Sequence, residues 1–303
     1  MIRPEPFMDL KDYLQNRSAQ VDQALERWMP DEDVLPRSLH QAMRYSVFAG
    51  GKRLRPILMI AACESVGGPA GQVLHAACAM EMIHTYSLVH DDLPAMDDDD
   101  FRRGRPTNHK VFGVATAILA GDALLTEAFR LLADAEANQT VPPARVVKVI
   151  ELVARYAGSQ GMVGGQVVDM ESEGKEIDFP TLEYIHTHKT GGLILASVQV
   201  GALLGGANDS QLAAIKKFGG AAGLAFQIAD DILDIVGDRK SLGKDVGSDQ
   251  ARGKATYPAQ LGLDEARQRA DELCEIAVAA LNPLGKPAET LQELARYIVN
   301  RNS

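Results

Sequence analysis

Cysteine is scarce, and its copies Cys63, Cys78 and Cys274 stand far apart, with neither disulfide-framework nor zinc-ligand spacing. A disulfide-stapled scaffold is thereby excluded, and a reducing cytoplasm is the expected location. Basic charge is in deficit, 31 Lys and Arg against 41 Asp and Glu, for a net charge of −10. Such a chain has no general attraction for nucleic acid or an anionic membrane. The opening Met1-Ile-Arg-Pro-Glu-Pro-Phe-Met-Asp9 has no apolar run of signal-peptide type. The longest uncharged stretch, Gly191 to Ala207, carries five glycines, Ser197 and Gln199, so it reads as a buried helix and no membrane span is expected. Aromatics make up only 5%, while Ala, Leu and Gly abound, a composition suited to closely packed helices. Also missing are long apolar–polar alternation, linkers and low-complexity segments. Length alone leaves one or two domains open, but these absences favour a single all-α domain over residues 1–303, a helical bundle around a deep central cavity.

Helical periodicity is what the chain has in quantity. It predicts helices near 9–29, 37–49, 57–66, 71–93, 111–136, 142–163, 181–187, 191–204, 209–235, 264–280 and 288–299. One of these ends in an unusual run: Asp91, Asp92, Asp97, Asp98, Asp99 and Asp100 fall within ten residues, and Arg102-Arg103 follows. Pro94 disfavours helical geometry at Leu93, which puts Asp91 and Asp92 on the last helical turn and the other four on a bend or loop. Ser87 and His84 lie one and two turns before Asp91 on the same face, and Tyr86 lies about one turn below it. Carboxylates at this density repel one another and require a cationic partner or water. Hard oxygens with no Cys nearby suit Mg²⁺, which keeps several waters and takes further ligands from a substrate's phosphates.

Three other clusters carry chemistry. Gly51-Lys-Arg-Leu-Arg-Pro56 sets three cations on a glycine turn at a helix start, where free N–H groups and the helix dipole favour an anion. His188-Lys-Thr-Gly-Gly192 offers Lys189 and Thr190 at a helix break. His186 and His188 lack matching metal ligands and read as ordinary histidines. Gln227, Asp230, Asp231 and Asp234 form one polar stripe along an otherwise apolar helix, where unpaired carboxylates would be costly to bury. Lys244 and Lys254 follow in a glycine-containing loop. The acidic stretches match a divalent metal. Two cation sets, Lys52 with Arg55 and Arg103 and Arg102 with Lys189 and Lys244, match two phosphorylated substrates, at least one with a hydrocarbon tail.

Asp-Asp-Leu-Pro-Ala-Met-Asp followed by Arg-Arg-Gly, with Asp-Asp-Ile-Leu-Asp some 140 residues later, resembles the two aspartate-rich motifs of trans-prenyltransferases. Gly51 to Pro56, Lys189-Thr190 and Phe226-Gln227 match in the same order, from about residue 38 onward. Four residues between Asp92 and Asp97, flanked by His90 and Arg102-Arg103, most resemble bacterial farnesyl diphosphate synthases; Phe101 stands where many relatives have Leu. The resemblance implies a homodimeric prenyl-synthase fold. It implies Mg²⁺, with Mn²⁺ as an alternative, and condensation of isopentenyl diphosphate with dimethylallyl and then geranyl diphosphate. Asp91, Asp97 and Asp230 would be metal ligands, with Asp92, Asp231 and Asp234 in support. Lys52, Arg55, His84 and Arg103 would hold isopentenyl diphosphate; Arg102, Lys189, Thr190, Gln227, Lys244 and Lys254 would hold the allylic diphosphate. Tyr86, with Ser87 as second candidate, would set chain length. A geranyl or geranylgeranyl diphosphate product is the alternative. A class I terpene cyclase is a weaker one, since it needs no second diphosphate site such as Gly51 to Pro56.

Overall fold

The computed structural model describes residues 9–236 and 255–300, so Lys244 and Lys254 lie outside the described residues. Its helices are α1 (Leu10–Trp28), α2 (Arg37–Val47), α3 (Leu54–Ser65), α4 (Leu74–Asp91), α5 (Asn108–Phe112), α6 (Val114–Leu132), α7 (Pro143–Ala157), α8 (Met162–Ser172), α9 (Phe179–Ile185), α10 (Gly192–Leu204), α11 (Asp209–Val236), α12 (Tyr257–Leu261), α13 (Leu263–Ala280) and α14 (Glu289–Asn300). A single π-helical turn, His186–Gly191, joins α9 to α10.

The bundle is built around α3 and α10, which are apolar on nearly every side, as a helix in a protein interior must be. Met59, Ile60 and Cys63 of α3 enter one hydrophobic cluster, while Ile57, Leu58, Ala61 and Ala62 enter the other. On α10, Leu193, Ala196 and Val200 divide from Ile194, Val198 and Ala202 in the same way. Full burial of each such Leu, Ile or Val contributes roughly 1.5–3 kcal/mol. The two helices cross closely because Gly201 has no side chain: a Cβ there would collide with the Met59 carbonyl. Helices α1, α4, α6 and α7 complete the first cluster, and α11, α13 and α14 the second.

Several boundaries depart from the sequence pattern. The helix expected from 57 begins at Leu54, since Pro56 in a first turn forfeits no hydrogen bond. The one expected over 111–136 divides at Gly113, which has φ +86°. The one over 142–163 stops at Ala157, and α8 starts after a Gly158–Gly161 break. The short helix α12 was not anticipated; the Thr256 hydroxyl caps it by accepting from the Ala259 N–H at 3.3 Å. Between α4 and α5 lies a two-stranded hairpin, β1 (Phe101–Arg102) and β2 (Arg105–Pro106). Arg103 and Gly104 turn it at φ +53° and +73°, the positive pair a type I′ turn requires.

Candidate active site

The acidic run is folded back over the end of α4. Met96 N–H donates to the Leu93 carbonyl at 2.9 Å, Asp97 N–H to the Asp91 carbonyl at 2.8 Å and Asp98 N–H to the Leu93 carbonyl at 3.1 Å. This compact turn follows Pro94 and sets Asp97 beside Asp91. The hairpin then returns a cation to the carboxylates: Arg102 Nε donates to Asp92 Oδ1 at 2.7 Å, and its Nη2 lies 2.6 Å from the same oxygen and 3.7 Å from Asp99. Lys110 pairs with Asp100 at 2.6 Å. Arg102, expected on the allylic diphosphate, is thus already bonded to Asp92, and Asp92 is a buried anchor for the hairpin.

Asp91 faces a cavity of about 400 Å³. His84, Tyr86, Ser87, Arg55, Lys189 and Thr190 share its wall, so α4, the basic turn and the π-turn converge there. The opposite side is apolar and comes from α8, through Met162, Val163, Val167 and Met170. Burial pushes the Asp91 carboxyl up to about 6; Lys189 pulls against this, while Asp97 pushes with it. Tyr86 is 7% exposed, its ring edge-on to that of His90 at 5.7 Å. Burial, with Asp91 adding to it, raises the phenol to about 12, so it stays uncharged.

The basic turn divides its cations. Arg55 and His84 line the main cavity, whereas Lys52 borders a separate hollow between α1 and α14. The Arg103 guanidinium donates to the Gly50 carbonyl and packs over Gly51. His84 is held well below the usual imidazole range by burial and then by Arg55, Arg103, Arg102 and Arg53. A neutral histidine among four guanidinium groups marks a region of positive potential suited to an anion.

Two groups escaped the sequence reading. Lys189 Nζ pairs with Asp169 of α8 at 2.5 Å; burial opposes its charge, but Asp169, Asp91 and Asp97 outweigh that and keep it protonated. Gln166, also on the cavity wall, has a buried amide oxygen with no hydrogen-bond partner. The signal was Met162, Gln166 and Met170 at four-residue spacing, masked by Gly164-Gly165. Gly165 is there because a Cβ would strike the Lys189 backbone nitrogen.

Along the second acidic stretch, Asp231 and Asp234 are buried and Asp230 is half-buried. Both Asp231 oxygens are bonded within the protein: Oδ2 to His186 Nε2 at 2.8 Å and Tyr257 N–H at 3.0 Å, Oδ1 to Gln227 Nε2 at 3.0 Å. Asp231, expected in metal support, is thus bonded to the π-turn and to the Tyr257 backbone, and Gln227, expected on the allylic diphosphate, has its amide nitrogen on Asp231 of the same helix.

Among the described residues no group of three or more His, Cys, Asp or Glu side chains could hold a metal ion alone. Asp91 and Asp97 nevertheless fit a hard divalent cation that takes its remaining ligands from water and diphosphate. They offer only oxygen, and burial and mutual repulsion favour a positive partner at Asp91. No helix among the described residues is long and apolar enough to cross a membrane.

The polyprenyl synthetase family model matches residues 36–291. The farnesyl diphosphate synthase of Geobacillus stearothermophilus is 50% identical over 262 residues, 86% of this chain and 88% of that protein. The heterodimeric geranylgeranyl pyrophosphate synthase large subunit 1, chloroplastic, of Arabidopsis thaliana is 47% identical over 306 residues, 99% of this chain and 81% of that protein. A crystal structure of an FPP/GFPP synthase from Zymomonas mobilis superposes with a TM-score of 0.85 at 38% identity, covering 96% of this chain and 99% of that one. With an all-α fold and these similarities over nearly its whole length, the chain belongs to the polyprenyl synthetase family of metal-dependent prenyltransferases.

Proposed function

We propose that the protein makes farnesyl diphosphate, joining isopentenyl diphosphate first to dimethylallyl and then to geranyl diphosphate and releasing one diphosphate each time. Trans-prenyl chain elongation is the chemistry of the family. The fifteen-carbon stop rests on Tyr86, whose ring stands in the cavity wall one turn beyond Asp91 and forms a barrier to a longer tail.

The allylic diphosphate binds at Asp91 and Asp97, beside Lys189 and Thr190, with Lys244 and Lys254 assigned by motif alone. Isopentenyl diphosphate binds the positive region of Arg55, His84, Lys52 and Arg103. Magnesium, with manganese as an alternative, held by Asp91, Asp97 and Asp230, would supply charge that neutralises the leaving diphosphate. The allylic C–O bond breaks and its electron pair leaves with diphosphate. The apolar α8 wall keeps water from the resulting cation. The isopentenyl double bond attacks the allylic carbon, and the adjacent proton passes to the departing diphosphate. Lys189, kept charged by Asp169, Asp91 and Asp97, lies where that negative charge develops, an arrangement that lowers the barrier.

A second reading, geranylgeranyl diphosphate as product, is favoured by the name of the Arabidopsis relative. Incubation with Mg²⁺, isopentenyl diphosphate and each allylic diphosphate, followed by product identification, separates the two. The wild type is expected to stop at C15 and Tyr86→Ala to extend to C20 or beyond; a wild type that accumulates C20 overturns the proposal. The working form is a single-domain chain, homodimeric and cytoplasmic. Val111, Val114, Ile118 and Leu119, exposed together on α5 and α6, support the dimer as an apolar face of the kind that marks an interface.

A further inference from the structure

The π-turn His186–Gly191 is the least regular part of the cavity wall, and it carries Lys189 and Thr190. A π-turn holds one residue more than an α-turn and persists only where its surroundings hold it. On one side Gly165 of α8 abuts the Lys189 backbone; on another Gly191 meets Gly223 of α11 backbone to backbone. Those contacts fix spacing, and the Lys189–Asp169 pair ties the turn to α8. The turn's tie to α11 is made by His186, which is not part of the cavity lining. Its Nε2 is 2.8 Å from Asp231 Oδ2, and both side chains are almost wholly inaccessible. The same oxygen accepts the Tyr257 N–H at 3.0 Å, and the Tyr257 ring lies nearly parallel to the His186 ring at 5.4 Å. The Tyr257 hydroxyl donates to Glu183 Oε1 of α9 at 3.1 Å, closing the circuit.

We propose that His186 and Asp231 are a positioning pair: their hydrogen bond locks the π-turn onto α11, so that Lys189 and Thr190 stay in register with Asp230. This rests on the prenyltransferase reading and deepens it. The carboxylate that follows Asp230 holds a histidine and not a metal, and neither member of the pair touches substrate. Without the bond the extra residue can be expelled, and a one-residue change of register turns following side chains by about 100°, carrying Lys189 out of the wall.

Four variants test the pair: His186→Leu and Asp231→Ala, which break the bond, and His186→Gln and Asp231→Asn, which retain its shape and one donor–acceptor link. Loss of a buried hydrogen bond of this kind is expected to raise the KM for geranyl diphosphate about tenfold in the first two while moving that for isopentenyl diphosphate less than about twofold. The conservative pair is expected to recover most of the loss, and Asp231→Asn to keep the Mg²⁺ half-saturation of the wild type. Hydrogen exchange at residues 186–191 reads the clamp without any turnover and is expected to quicken in His186→Leu. If the wild type forms no prenyl product but exchange still quickens, the functional reading fails and the clamp stands. Unchanged exchange in His186→Leu, equal KM effects on both substrates, or an Asp231→Asn enzyme demanding far more Mg²⁺ would each overturn the positioning role. If the disruptive variants do not fold, the same measurements on His186→Gln and Asp231→Asn decide it.

Discussion

Arg53 and Arg55 stand two positions apart in one basic turn and have opposite duties. Arg53, at φ +50°, reaches inward: its Nε, Nη1 and Nη2 donate to Asp22, Glu81 and the Val47 carbonyl, each at 2.8 Å. Arg55 faces the cavity. Arg53→Met would leave Glu81 buried with its ion-pair partner removed, which is expected to cost about 3–5 kcal/mol, read as a lowered urea midpoint. Arg55→Ala is expected to keep that midpoint close to wild type and to raise the KM for isopentenyl diphosphate more than that for geranyl diphosphate, because it removes a charge at one substrate. Equal loss of stability in both variants would mean the turn is a single structural unit. The sequence marks these residues as a cation cluster on a glycine turn at a helix start, a pattern suited to an anion. Their division was not legible there, because inward or outward direction depends on φ at Arg53 and on Glu81, 28 residues away. Asp92 and Asp231 illustrate the same limit. Adjacency in sequence does not reveal which aspartate of a pair is bonded within the protein; that depends on Arg102 for Asp92 and on His186 for Asp231.

At the scale of elements, α4, α10 and α11 were recoverable because long apolar runs have only one helical solution, and Pro94 marks where α4 must end. The wall opposite Asp91 was not recoverable in full. Gly158, Gly161, Gly164 and Gly165 lower helix propensity around α8, and what overrides propensity there is contact with the π-turn. That contact carries a prediction. At Gly165 a Cβ would meet the Lys189 backbone nitrogen, and its Cα at 2.8 Å; neither is a flexible side-chain end that could swing aside. Gly165→Ala is therefore expected to destabilise the protein by about 1–3 kcal/mol through overpacking. It is also expected to reduce turnover more than Gly220→Ala, a helical glycine with open space around its Cβ direction. Thermal melts and steady-state rates on the two variants check this, and wild-type behaviour in Gly165→Ala would mean α8 can slide without disturbing Lys189.

Two properties belong to the whole molecule. Stability in acid is one. His75, 1% exposed, is held below the usual imidazole range by burial, partly opposed by its bond to Asn138 at 3.1 Å and by Asp134. The unfolded chain takes up that proton near its ordinary pKa of about 6.5, while the folded chain does so only at lower pH. Its contribution to stability is therefore complete above that value and is lost as pH falls below it; His75→Gln is expected to shrink the drop in melting temperature between about pH 7.5 and 5.5. The proposed association is the other. Leu119 is 57% exposed, and Val111, Val114 and Ile118 continue its face. That face is tied to the active site, since His90, next to Asp91, has Nε2 within 3.0 Å of the Ile118 carbonyl. Gly121 leaves room for the ring: a Cβ there would strike it. In an isolated chain Leu119→Glu sits in water and is expected to change stability by no more than about 0.5 kcal/mol. In a dimer it places a charge inside an apolar interface, where an unpaired carboxylate costs several kcal/mol. Sedimentation is expected to show a dimeric wild type and a monomeric Leu119→Glu, with lower kcat in the variant because His90 loses the support that partner packing gives α6. A wild type that sediments as a monomer at micromolar concentration would leave the apolar face without its partner and remove the link from association to Asp91.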